Sequence, residues 1–253
     1  MKIEVILTPA ELPALKQSDL RDAACVVFDV LRATSTFVTA LHHGAKAVVP
    51  VSEIPAALAI RQKQPDVLLG GERNGVRIRA AQTGGIDFDL GNSPREYTPD
   101  KVRGKTIVST TTNGTRALRA GAGAKMVLAA SFLNLAVTAE FLRQLSPAHV
   151  VLVCAGTREN TALEDVLAAG ALCEILQAGA GPREISDPAE IARRTYIQAK
   201  SDLAAAVSTS ENARRLLAMA ELRDDVAFCL QRDIFPLVAG LEADGAIRVR
   251  ATA

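Results

Sequence analysis

"KTIVSTTTNGTRAL" (residues 105–118) decides how the chain folds. "KTIV" is a short apolar run that reads as a buried strand, and "RALRAGA" reads as helix. Between them stand Ser109, Thr110, Thr111, Thr112, Asn113, Gly114 and Thr115. One capping residue would start a helix, so the other hydroxyls need a second reason. A strand running straight into a helix is half of a βαβ unit, and the pattern recurs along the chain. Strand candidates lie at 2–7, 23–30, 46–51, 66–71, 105–110, 125–130 and 149–156, with a last one at 246–251. Helix candidates lie at 34–43, 53–64, 113–121, 132–145, 162–178, 188–206, 211–219 and 223–233. Several of the strands are apolar throughout, as strands buried on both faces are. The alternation predicts an α/β fold of three α/β/α layers around a mostly parallel or mixed central sheet, with a helix-rich C-terminal third.

At 253 residues with 49% apolar content, the chain can bury a large core. No Pro/Gly/Ser-rich linker divides it, so residues 1–253 read as one α/β domain, with 183–233 a candidate helical subdomain. Residues 72–104 are polar and Gly-rich with little periodicity, and so long a loop is usually functional or mobile. Lys plus Arg (29) nearly balances Asp plus Glu (28), and no basic stripe is present, which argues against a nucleic-acid partner. No apolar run approaches the ~18 residues of a membrane span, and "MKIEVILTPAEL" reads as a first strand rather than a signal peptide. Cys25, Cys154, Cys173 and Cys229 form no CxxC pair, so zinc and disulfides are not expected and a reducing cytoplasm fits. The oligomeric state stays open, a homodimer included.

In such sheets, ligands sit beyond the carboxyl ends of the strands. Polar or acidic groups follow four of them. "DVLRATST" offers Asp29, Arg32, Thr34, Ser35 and Thr36 at a helix start, where free N–H groups suit an anion. The alternative is a capped helix with Asp29 paired to Arg32. "TTTNGT" offers Thr112, Asn113, Gly114 and Thr115, with one of them serving as the cap. "GERNG" offers Glu72 and Arg73, and "DLGNSPREY" offers Asn92 and Ser93 in a turn-rich stretch. "TRENTALEDVLAAG" offers Arg158, Glu164 and Asp165. Thr161 and Glu164 fit a capping box, which leaves Asp165 as the better ligand for Mg²⁺.

Other chemistries lack their residues. His42, His43 and His149 fall at places unsuited to a Ser-His-Asp machine, and no G-x-S-x-G or Walker A motif occurs. "GAGAK" precedes a strand, so it is no dinucleotide fingerprint. Carboxylates, arginines, hydroxyls and helix starts remain, an inventory that suits Mg²⁺-assisted chemistry on an anionic small molecule.

"FDVLRATST", "GER", "FDLGNSPREYT", "TTTNGTRAL" and "CAG…ALEDVLAAG", in this order, resemble the 2-phosphosulfolactate phosphatase family. "DDVAFCLQRD" and the final "GAIRV" extend the resemblance to the C-terminus. It implies a three-layer α/β/α fold and a Mg²⁺-dependent phosphatase that cleaves 2-phospho-3-sulfolactate to sulfolactate, a step towards coenzyme M. The stretch between Arg73 and Phe88 is longer than the family's usual link.

On that basis Asp29 and Asp165, with Glu164 and Glu72, would hold Mg²⁺. The "LRATST" and "TTNGT" helix starts would hold the phosphate. Arg32 would offset transition-state charge, and Arg73, Asn92, Ser93 and Arg158 would hold sulfonate and carboxylate. The nucleophile is water or a carboxylate. Asp29 sits where a phosphoaspartate enzyme keeps its nucleophile, but the Asp-x-Asp of that class is missing, which favours water. The alternatives are an enzyme acting on another phosphorylated acid, or a non-catalytic binding protein for such a metabolite.

Overall fold

The computed structural model describes residues 1–178 and 184–251. In chain order the elements are β1 (Lys2–Ile6), α1 (Leu12–Gln17), β2 (Ala23–Phe28), α2 (Ala33–His42), β3 (Ala47–Val51), α3 (Ile54–Lys63), β4 (Leu68–Arg73) and β5 (Val76–Arg77). Then come α4 (Ala80–Thr83), α5 (Pro99–Val102), β6 (Thr106–Thr110), α6 (Gly114–Ala120), β7 (Met126–Ala130), α7 (Leu135–Leu145), β8 (His149–Cys154) and α8 (Leu163–Gln177). The chain ends with β9 (Glu184–Ile185), α9 (Asp187–Ala199), α10 (Leu203–Ser208), α11 (Glu211–Leu217), α12 (Arg223–Cys229), β10 (Val238–Leu241) and β11 (Ile247–Arg250).

The strands form one mixed sheet ordered β5-β4-β6-β3-β11-β10-β7-β2-β8-β1-β9. Two parallel blocks, β4-β6-β3 and β7-β2-β8-β1-β9, flank the β10–β11 hairpin. The hairpin pairs antiparallel internally and with β3 and β7, so the two blocks run in opposite senses. Twist compensates. At about 20–25° per strand, the five steps from β6 to β2 turn the blocks by roughly 100°. The carboxyl ends of the two blocks then meet at a corner rather than at opposite edges.

Alternation along the buried strands makes the layers. In β2, Ala24, Val26 and Phe28 join the core beneath α7, α8 and α9, while Cys25 and Val27 join the core beneath α1, α2 and α6. Every residue of β2 is buried, which is why its sequence shows no polar alternation. A third, smaller core seats α3 against β4 and β6 and takes Ile78 and Phe88 from the long connection. The three-layer reading therefore holds. The segment predicted at 183–233 carries α9 to α12 between Asp187 and Cys229, although Arg183 lies outside the described residues. It shares a core with α8, where a Cβ at Gly170 would lie 2.1 Å from the Ala192 carbonyl oxygen.

Sequence patterning missed the short elements. β5, β9 and β10, and helices α1, α4 and α5, span two to six residues each, too few for a period to register. Residues 72–104 are accordingly not a bare loop. They hold a two-residue hairpin strand, two short helices and a 3₁₀ turn at Pro94–Glu96.

Candidate active site

The segments that follow β2, β4, β6 and β8 line one polar cleft of about 100 Å³, joined by α11. Such a volume is far below the roughly 300–1,000 Å³ of pockets for drug-sized ligands and suits a compact acid. The cleft walls carry Asp29, Glu72, Glu164 and Asp165, so the structure brings together the acids predicted from three separate strand ends.

Asp29 sits one residue beyond β2. Its Oδ1 accepts the Ala33 N–H at 3.0 Å, at the start of α2. Burial pushes its carboxyl up to about 6, helped by the charges of Glu72 and Glu164 and opposed by the Ala33 and Gly114 N–H groups. Gly114 permits this closeness: a Cβ there would lie 2.8 Å from Asp29 Oδ2 and 2.9 Å from the Ala33 Cβ. Asp165 is also raised well above the carboxylate range, first by burial, then by Glu164 and Asp29. Its two oxygens accept the Val30 N–H at 2.8 Å and the Gly156 N–H at 3.0 Å. It therefore braces the ends of β2 and β8 together, and it is not the free ligand that the sequence predicts.

Glu164 reverses its expected part as well. The residue before α8 is Ala162, which has no side-chain cap bond, so the Thr161–Glu164 box does not form. Glu164 is buried; Oε1 accepts from Asn212 Nδ2 at 2.7 Å and Oε2 has no partner among the described residues. A buried carboxylate oxygen without a donor is costly unless a cation or ligand completes it. Glu72 Oε1 accepts from the Thr112 N–H and hydroxyl, and Oε2 from the Gly75 N–H at 2.7 Å. It ties the β4–β5 turn to the threonine loop.

Arg32 lines the cleft but is already neutralised. Nη1 donates to Asp225 Oδ2 at 2.6 Å, and Nη2 donates to the Gly75 carbonyl at 2.5 Å. Both side chains are buried, with 2% and 0% exposed. Ser93, predicted as a substrate contact, donates instead to Asp225 Oδ1 at 2.7 Å. Asp225, Asn212 and Arg215 are among the residues that sequence reasoning missed. Asp225 stands in the "DDVAFCLQRD" stretch, 193 positions from the arginine it neutralises, and its only signal was an acid on an apolar helix face.

Several predicted contacts face elsewhere. The Thr34 hydroxyl exchanges bonds with the Asp29 backbone, Ser35 donates to the Val30 carbonyl and Thr36 to the Asn92 carbonyl. All three are fully buried and fix the turn after β2 rather than a ligand. Arg73 turns away from the cleft to the Glu72 carbonyl and the Thr110 hydroxyl. Thr115 lies behind the loop, 3.4 Å from the Thr111 hydroxyl. Asn92, Thr112, Asn113 and Arg158 do line the cleft. Asn92 Oδ1 is buried without a partner, and Asn113 precedes α6 without capping it by its side chain.

Among the described residues, no three His, Cys, Asp or Glu side chains are gathered as a ready-made metal cage. Mg²⁺ does not require one, since it commonly takes one or two carboxylates and completes its shell with water and phosphate oxygens. Oxygen donors, the orphan Glu164 Oε2 and the mutual repulsion of the buried acids fit such an ion. Also among the described residues, no helix is long and apolar enough to cross a membrane.

Comparison with known proteins agrees with the motifs. The profile of the 2-phosphosulpholactate phosphatase family matches residues 7–244. A probable 2-phosphosulfolactate phosphatase of Thermotoga maritima is 38% identical over 239 residues, 94% of this chain and 95% of that protein. Proteins of the same description from Pseudothermotoga lettingae (41% over 215 residues, 85% of this chain and 87% of that one) and Clostridium acetobutylicum (35% over 239 residues, 94% and 96%) match similarly. With a match across nearly its whole length, the chain belongs to the 2-phosphosulfolactate phosphatase family.

Proposed function

We propose that the chain is a Mg²⁺-dependent phosphoric monoester hydrolase that converts 2-phospho-3-sulfolactate and water to sulfolactate and inorganic phosphate. The reading rests on the cleft's electrostatics. Asp29, Glu72, Glu164 and Asp165 surround it, and its buried arginine is balanced by Asp225. Such a cleft repels a multiply charged ester unless a cation lies between them. Asp29 and Glu164 would hold Mg²⁺, which supplies charge against the phosphate oxygens and orients water. Glu72 and Asp165 hold the loops that place those two ligands. Asn113 offers an uncommitted carboxamide to the phosphate, the unpartnered Asn92 Oδ1 offers an acceptor to the cation's shell, and Gly114 keeps the α6 backbone close to Asp29.

Water rather than a carboxylate attacks phosphorus in this reading. Asp29 is held by the Ala33 N–H on one oxygen and crowded by Gly114 on the other, which supports a fixed ligand rather than a nucleophile. A labelled phosphoenzyme trapped on Asp29 would overturn that step. The cysteines are free and buried, which supports a reducing, cytoplasmic setting.

The test is phosphate release from 2-phosphosulfolactate, with Mg²⁺ and with chelator, beside phospholactate and an aryl phosphate. Metal-dependent release that prefers the sulfonated ester is expected. Absence of release from all three esters would refute the reading.

A further inference from the structure

Resting on that phosphatase reading, we infer that Arg158 and Arg215, presented by the β8–α8 loop and by α11, form the receptor for the substrate's sulfonate and carboxylate. The charge count requires a receptor of this kind. Beyond its phosphate, the ester carries two further anions, and the carboxylates of the cleft offer them nothing. The cations lining the cleft are Arg32, Arg158 and Arg215. Arg32 is excluded, because its Nη atoms are committed to Asp225 and the Gly75 carbonyl. Arg73, the sequence-level candidate, faces the Thr110 hydroxyl outside the cleft.

Neither of the two remaining arginines is held by a buried partner among the described residues. Arg158 is exposed and in no ion pair among the described residues. Its φ of 57° places a non-glycine residue in the left-handed region, at the tip of a turn closed by the Thr157–Asn160 bridge. A bulky side chain held in that conformation is a recurrent feature of ligand-gripping loops. Among the described residues, Arg215 pairs only with Glu211, one turn earlier on α11, at 3.0 Å. Surface pairs of this type contribute little and are readily exchanged for a ligand anion.

A single side chain fixes the two elements to each other. Asn212 Nδ2 donates to Thr157 Oγ1 at 2.6 Å and to Glu164 Oε1 at 2.7 Å. It thus ties α11 to the loop that carries Arg158, and both to the acid with the orphan oxygen. Two guanidinium forks on a braced pair of elements match planar or tripod oxyanions two-pronged, as a lysine would not. Leu216 adds an apolar wall for the carbon chain that joins the anions.

Arg215→Gln and Arg158→Gln test the assignment. Each loses one charged hydrogen-bond partner, so kcat/KM on 2-phosphosulfolactate should fall roughly tenfold to a hundredfold, mainly through KM. The loss on an aryl phosphate should be at least about tenfold smaller, and one of the variants should discriminate phospholactate from the sulfonated ester less than the wild type does. Calorimetric binding of sulfolactate in the presence of Mg²⁺ should weaken in parallel, a readout independent of turnover. Equal losses on all esters, or no loss in either variant, would overturn the assignment while leaving the phosphatase reading intact. A wild type inactive on every ester would instead remove the parent reading, and this one with it.

Discussion

Asp225→Asn should cost more stability than any other single change of a charge in this protein. The Asp225 side chain is 0% exposed and that of Arg32 is 2% exposed. Oδ2 takes the Arg32 guanidinium at 2.6 Å and Oδ1 takes the Ser93 hydroxyl at 2.7 Å. Asparagine keeps the volume and one acceptor, but leaves Arg32 charged in a site with almost no water. Removing one member of a buried pair costs about 3–5 kcal/mol, against a total stability of roughly 5–15 kcal/mol. For a chain of this length 1 kcal/mol is about 2–4 °C, so Tm should drop by roughly 6–20 °C. Urea unfolding followed by circular dichroism measures the difference directly. The double variant Arg32→Met/Asp225→Leu sharpens the test. If the penalty is the stranded charge, the double variant recovers most of the lost stability while phosphatase activity stays low. An Asp225→Asn protein within about 1 kcal/mol of wild type would refute the reasoning, because it would show that Arg32 is solvated or finds another partner.

Further consequences follow from single contacts. Gly114→Ala places a methyl 2.8 Å from Asp29 Oδ2, so it should lower kcat sharply and cost about 1–3 kcal/mol by overpacking; an active, equally stable variant would mean that α6 can back away. Asn113→Ala should change stability by no more than about 0.5 kcal/mol, since the side chain caps nothing, while KM rises; a loss near 1 kcal/mol with KM unchanged would restore the capping role. In the metal-free protein, Asp29 binds its proton more tightly folded, at about 6, than unfolded, at 3.8. Stability should therefore fall as pH rises through that window and stay reduced above it. Added Mg²⁺ should then raise Tm more at about pH 7.5 than at about pH 5, and an equal rise at both would argue against ion binding beside Asp29.

The apolar strands and the long helices were legible because burial on both faces writes itself as near-uninterrupted apolar runs, AACVVF in β2 and VVLVC in β8. The reversal of the two parallel blocks was not, because it depends on β10, four residues with a glycine whose Cβ would strike the Arg250 side chain. For the site, residue types at strand ends located the cleft, but not which atoms face it. Thr34, Ser35 and Thr36 look like an anion cradle in sequence, yet their hydroxyls meet backbone carbonyls within the fold. Asn212 and Asp225 act across 48 and 193 positions, and no local pattern announces a partner that distant.

The surplus hydroxyls after β6 now have a physical reason. Thr110 contacts Arg73 and the Ser52 carbonyl, Thr112 grips Glu72, and Thr111 faces Thr115. They are joints. Beyond the last ladder bonds of β3, β4 and β6, which pair as neighbours in one block, these side chains carry the hydrogen bonding on from loop to loop. Asp165 does the same between β2 and β8, and Glu72 between β4 and the loop after β6. Polar richness at a strand end is therefore ambiguous in kind, because joints and ligands draw on the same residue types. What separates them is satisfaction. Glu164 Oε2 and Asn92 Oδ1 are buried without partners, and the Asn113 side chain leaves its helix uncapped, all around one cleft. In a corner otherwise so fully bonded, these uncommitted groups are the ones that the proposed reading assigns to the phosphate and its cation.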